Sequence, residues 1–269
     1  MTTPEASIRV NVDVTNPGEF FACCGLLELA DRLWPGAEGW FESGEFCIAC
    51  AGTLGSLIQS LSRAELTPVE PDDRTSTAIR IGAPFRPSLL INWWREDQVG
   101  TRDGRELKVW AGSMESYGIA RAMQKTLYSE KLQGADLFNQ GMVVPDPDSP
   151  AKKKEPFYFD HRRAPNAHSR DVGFAPNDLG LATLAHPAVE LLCLIGLQRC
   201  LPARTTRPRV YDYYTWASPT CPQLVPAVVA RHITDTGARG YRFENWYRTG
   251  QKKHKAFRSA VTLSQGSSQ

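Results

Sequence analysis

The chain has 269 residues, 42% hydrophobic and 22% charged, with a formal net charge of +2. That is enough apolar side chain to bury a substantial core, and it excludes collagen-like and wholly disordered classes. Residues 1–150 carry 13 Lys+Arg against 21 Asp+Glu, and residues 151–269 carry 18 against 8. An acidic first part therefore precedes a basic second part whose cations either suit a phosphate backbone or are scattered over a solvated surface.

Ile8, Val10, Val12 and Val14 alternate with polar residues, the period of a half-buried strand. Asn16 with Pro17 next and Glu19 three residues on predicts a capped helix carrying Phe20, Phe21, Cys24, Leu27 and Leu33 and ending near Trp34. Segments 40–41 and 46–50 around Glu42-Ser43-Gly44-Glu45 read as a hairpin. A second helix is capped by Thr53 and buries Leu54, Leu57, Ile58 and Leu61 before a break at Thr67-Pro68. Residues 77–81 close the series as a strand.

The resulting order, βαββαβ, is that of ferredoxin-like domains and RNA-recognition modules, although the Gly and aromatic run of the latter is absent. Strands over 88–94 and 106–110 and a helix over 113–132 extend this core to about residue 140. Four prolines and Lys152, Lys153 and Lys154 mark 141–156 as an exposed loop and a candidate boundary. The basic part, 157–263, is expected to hold strands near 157–159, 210–216 and 241–247 and a helix entered through Pro187. It is either a second α+β unit or part of the same domain, and residues 264–269 form a disordered tail. The fold class is thus α+β with a ferredoxin-like N-terminal core.

The segment Met1–Val10 lacks a basic-then-apolar leader, and the longest apolar stretch, 188–197, is short and holds Glu190. No signal peptide or membrane span is expected, and seven cysteines fit the reduced thiols of a cytoplasmic protein. Cys47 and Cys50 have zinc-ligand spacing, but no second well-spaced pair accompanies them, and they read as small core hydrophobes. The residues call for no metal and no cofactor.

His161, Arg162, Arg163, His168 and Arg170 form a polar, cationic stretch that suits phosphate. The same histidines would serve a metal-independent ribonuclease if a positioned partner were present. In 241–258, Tyr241, Phe243, Trp246 and Tyr247 interleave with Arg242, Arg248, Lys252, Lys253, Lys255 and Arg258. That pattern is either stacking surface with phosphate-binding charge or a core strand followed by a solvated basic helix. No GxSxG, P-loop, dinucleotide-binding or HExxH pattern occurs.

The run Asn16-Pro17-Gly18-Glu19-Phe20-Phe21-Ala22-Cys23-Cys24-Gly25-Leu26-Leu27-Glu28-Leu29 resembles the opening of a protein family encoded in CRISPR-Cas loci of the type I-U (I-G) branch. Asn92-Trp93-Trp94, Leu107–Gly112, Asp171–Pro176 and Phe243–Tyr247 are similar to further blocks of it. The resemblance implies a non-catalytic subunit of an RNA-guided, Cascade-like antiviral surveillance complex. Its partners would be CRISPR RNA, target DNA and other effector subunits, with no membrane. Lys152, Lys153, Lys154, His161, Arg162, Arg163, His168, Arg170, Trp246, Arg248, Lys252, Lys253, Lys255 and Arg258 are then the nucleic-acid-binding candidates. A guide-RNA-processing endoribonuclease using His161 or His168, and an adaptor binding only proteins through the acidic part, are the alternatives.

Overall fold

Two glycines set how the chain packs. Gly25 lies in helix α1 (Pro17–Leu33) and Gly196 ends helix α4 (Pro187–Gly196). A Cβ on Gly25 would stand 2.1 Å from the Leu192 carbonyl oxygen, and one on Gly196 would stand 1.9 Å from that of Phe21. The helices therefore cross backbone to backbone, a contact open only to residues without a side chain. The computed structural model describes residues 4–73, 75–95, 106–111, 114–128, 132, 134–163, 184–235, 237–248, 252 and 254–264.

Around this pair the described residues form an α+β arrangement with antiparallel sheets. Strand β1 (Ile8–Asn11) pairs with β3 (Glu45–Ala49), which pairs with β2 (Glu38–Glu42) through the Ser43-Gly44 turn. Both turn residues have positive φ, 51° and 85°, as a two-residue hairpin requires. Asn16 caps α1, its side chain accepting from Gly18 N. Glu19 does not complete the expected capping box, because it accepts instead from Asp13 N at 2.7 Å. Helix α2 (Leu54–Arg63) has a full capping box between Thr53 and Ser56 and buries all four predicted apolar positions.

The predicted fourth strand departs from the ferredoxin-like order. Strand β5 (Ile79–Ile81) pairs with β4 (Leu66–Pro68) and β6 (Leu89–Ile91), not with β1. The open edge of β1 is met by the loop before Leu137, with Asn11 N donating to Ala135 O. Among the described residues the four-stranded βαββαβ sheet is thus not completed.

Four further expectations change. Residues 106–110 form no strand, beginning instead with a helical turn. Residues 157–159 join no ladder, because Tyr158 N and Phe159 N donate to the Glu190 carboxylate. The 141–156 loop contains a hairpin of β7 (Pro145–Asp146) and β8 (Ser149–Lys153). Helix α3 (Ser116–Thr126) is shorter than the 113–132 span, and buries Ile119 and Met123. Residues 265–269 of the expected tail lie outside the described residues.

The second sheet orders β12 (Lys255–Phe257), β11 (Gly240–Tyr247), β10 (Val210–Tyr214) and β9 (Ala203–Arg204), and β13 (Val261–Thr262) pairs with β11. Its inner face seats Tyr213 against Phe20 and Phe243 against Phe21, with ring centroids 4.3 and 6.3 Å apart. One hydrophobic core runs from Ile8 to Ala260 across the proposed boundary. Trp93, Trp94 and Trp110 sit in it beside Phe157 and Phe159, each indole N–H donating to a backbone carbonyl.

Gly25→Ala and Gly196→Ala are each expected to cost about 3 kcal/mol or more, since the added methyl meets backbone rather than a movable side chain. Gly134→Ala, where a Cβ meets nothing within 4 Å, should stay within about 0.5 kcal/mol. Urea unfolding midpoints of the three variants check this.

Candidate nucleic-acid interface

The structure divides the predicted cations into those consumed inside the fold and those left at the surface. Arg162 donates from Nε to Asp160 at 2.9 Å, reaches Glu19 at 3.1 Å and donates to Phe138 O at 2.8 Å. Arg163 is buried and pairs with Glu155 at 3.0 Å. Its guanidinium and that of Arg248 lie 5.3 and 3.4 Å from the Tyr158 ring centroid. Lys255 donates to Glu106 O at 2.8 Å, Lys154 pairs with Asp146 at 3.3 Å, and Lys153 with Glu155 at 3.4 Å. These side chains tie loops together. Lys152 and Lys252 are exposed. His168, Arg170, Lys253 and the Asp171–Pro176 block lie outside the described residues.

His161 borders a buried polar cluster. Asp160 is fully buried, with Asn16 Nδ2 at 2.9 Å, Arg162 Nε at 2.9 Å and His186 Nδ1 at 2.6 Å. Burial opposes its ionisation, but His186 and Arg162 outweigh burial and hold it well below the usual carboxylate range. Burial pushes Glu19 up to about 7 despite the Asp13 N–H and Arg162. Burial, reinforced by Asp160, pushes Glu190 up to about 7 against three backbone N–H donors. His161 itself is pulled down by burial, and its Nε2 is 3.9 Å from Asp13 Oδ2. The cluster clamps the start of α1 to segment 158–162 and to the start of α4.

Trp246 and Arg258 do come together on a surface. The period of two along β10 and β11 sends Tyr211, Tyr213, Tyr241 and Phe243 inward and Asp212, Tyr214, Arg242, Glu244 and Trp246 outward. The Arg258 guanidinium lies 4.8 Å from the Trp246 ring centroid, and Nη1 is 3.8 Å from Glu244. Asp212 and Arg242, opposite in register, pair twice at 2.7 Å. At the far end Arg231 covers Tyr214 at 5.1 Å. Two arginine-covered aromatics thus stand six residues apart along the strand direction, about 20 Å by strand rise. Tyr214 and Arg231 were not among the sequence candidates, because neither sits in a basic run; the pleat and the β10–β11 register bring them to this face.

No family model, curated protein or solved structure matches this chain. Among the described residues no group of three His, Cys, Asp or Glu side chains is placed to hold a metal. Cys23, Cys24 and Cys47 are buried, Cys50 partly so, and Cys47 Sγ is 3.2 Å from Arg9 Nη1. No helix among the described residues is long and apolar enough to cross a membrane.

Asp160→Asn should lower stability at pH 7 by about 3 kcal/mol or more, the cost of breaking a buried ion pair. Because the folded pKa of Asp160 is depressed, its contribution is present above the unfolded value near 3.8 and fades as pH falls below it. The wild-type to variant gap in urea midpoint should therefore narrow below pH 4.

Proposed function

We propose that this chain is a non-catalytic nucleic-acid-binding subunit of a CRISPR RNA-guided surveillance complex of the type I-U (I-G) branch. The observation that carries the reading is the outer face of the second sheet, where the exposed Arg258 covers the half-buried Trp246 ring. An aromatic ring covered by a guanidinium offers a base both a π-face and a cation, without sequence preference. Phe243–Tyr247, one of the family-like blocks, supplies that strand, and Asn16–Leu29, the longest such block, supplies the helix beneath the sheet. CRISPR RNA or target DNA lies along this face, and the acidic first part docks on basic neighbours in the complex. On this reading β1–β3–β2 with α1 and α2 is a reduced form of the RNA-recognition-like core. The protein works in the cytoplasm, and destruction of DNA falls to a separate nuclease.

Trp246→Ala should weaken binding of a fluorescent single-stranded oligonucleotide roughly tenfold, as one lost base stack implies. Arg258→Glu should also reduce the slope of log K against log salt by about 1. Unchanged affinity and slope in both variants overturn the interface. Co-expression with the neighbouring effector genes and a repeat array, followed by sequencing of bound RNA, tests the assembly itself. A discrete product from repeat RNA in the presence of a chelator, lost in His161→Ala, would favour the endoribonuclease instead.

A further inference from the structure

A cleft of about 260 Å³ opens where the turn between β9 and β10 meets the end of β11. It is lined by Arg204, Arg207 and Arg209, by Thr205 and Thr206, and by one carboxylate, Glu106. That carboxylate is already satisfied: Arg204 Nη2 is 2.5 Å from Oε2 and the Tyr211 hydroxyl donates to it at 3.3 Å. Burial works against its charge, but the Arg204 bond prevails and keeps it ionised.

The other two guanidiniums are in a different condition. Arg207 is exposed and has no acidic partner among the described residues. Arg209, held at φ 60°, lays its guanidinium 4.6 Å from the Tyr247 ring centroid, and its Nε is buried with no hydrogen-bond partner. Thr205 Oγ1 fixes the turn by accepting from Arg207 N at 3.1 Å, so the two arginines are presented on a shaped loop.

From two cleft-lining guanidiniums with no acidic partner among the described residues, above a floor whose one carboxylate is already paired with Arg204, we infer that this cleft binds a phosphoryl group, with Arg207 and Arg209 as its ligands. Guanidinium forks match tetrahedral phosphate oxygens, and the Tyr247 ring positions one of them. The group is either the terminal phosphate of an oligonucleotide or the phosphate of a small molecule; the chemistry is the same. The inference does not rest on the stacking face, which lies on the opposite side of the sheet.

The test uses the full chain and calorimetric titration with inorganic pyrophosphate. The expected result is saturable binding, weakened at least tenfold in Arg207→Ala. Arg209→Lys, which keeps the charge and loses the planar fork, should weaken it by a similar factor with an unchanged melting temperature. Trp246→Ala should leave pyrophosphate binding unaltered, which separates this site from the stacking face. An oligonucleotide with a 5′-phosphate that binds tighter than its 5′-hydroxyl twin, with the gain lost in Arg207→Ala, identifies a nucleic-acid end. Pyrophosphate binding without that discrimination identifies a small phosphate compound. Absence of pyrophosphate binding, or binding equal in wild type and both arginine variants, overturns the site.

Discussion

The crossing of α1 and α4 at Gly25 and Gly196 brings two backbones into contact, and this leaves no room for side chains between them. Residues 17–30 of α1 are consequently buried all round, the behaviour of a helix at the centre of a fold rather than on its surface. Two glutamates lie within that span. Each must find partners from distant segments or remain uncharged. Glu28 is met by Arg32 one turn on and by Arg199 just past α4, at 2.7 Å each. Glu19 is met by Asp13 N, Asn16 and Arg162. The polar connections of the molecule are thus consequences of how tightly its two central helices approach.

The same logic explains why a stretch with strand-like composition forms no strand. Phe157 and Phe159 are buried, yet the backbone N–H groups of residues 158–160 all converge on the Glu190 carboxylate. That carboxylate occupies the first turn of α4, where the helix dipole also favours negative charge. Spending three backbone donors on one side chain satisfies them as a ladder would. It also fixes Asp160 next to Asn16, so the cap of α1 and the first turn of α4 are braced by one short segment. Burying Glu19 and Glu190, with Asp160 close by, has an opposing effect. The folded pKa values of Glu19 and Glu190 are raised to about 7, so their ionisation erodes stability as pH climbs from the unfolded value to about 7.

Local signals were sufficient where one element answers to one period. The caps at Asn16 and Thr53, the apolar stripe of α2 and the alternation along β10 and β11 could all be read directly, because each depends on neighbours within a few residues. Pairing partners could not. Nothing local to Ile79–Ile81 distinguishes an edge beside β1 from one beside β4 and β6, and the loop at Ala135 that meets β1 lies far away in sequence. Of the candidate site, Trp246 and Arg258 were legible as an aromatic within a basic run. Arg163 and Arg248 were equally prominent, but their stacking on Tyr158 requires three segments to converge. Arg209 carries no such local signal, because the Tyr247 ring beneath it is a neighbour only through the sheet.

A run of lysines and arginines therefore says little about the positive charge a surface offers. What matters is whether each cation has already been neutralised. Arg242 would have to surrender a bidentate carboxylate to meet a phosphate, leaving Asp212 unpaired beside the new anion. The exchange releases little counterion and gains little affinity, so at the proposed outer-face interface stacking would carry the binding and its salt dependence should be shallow. Arg207 surrenders nothing, and a phosphate in its cleft gains the full charge-assisted bond. On the proposed reading the two surfaces of one sheet differ in kind: the outer face binds by stacking and tolerates salt, while the cleft responds to charge and is screened by it.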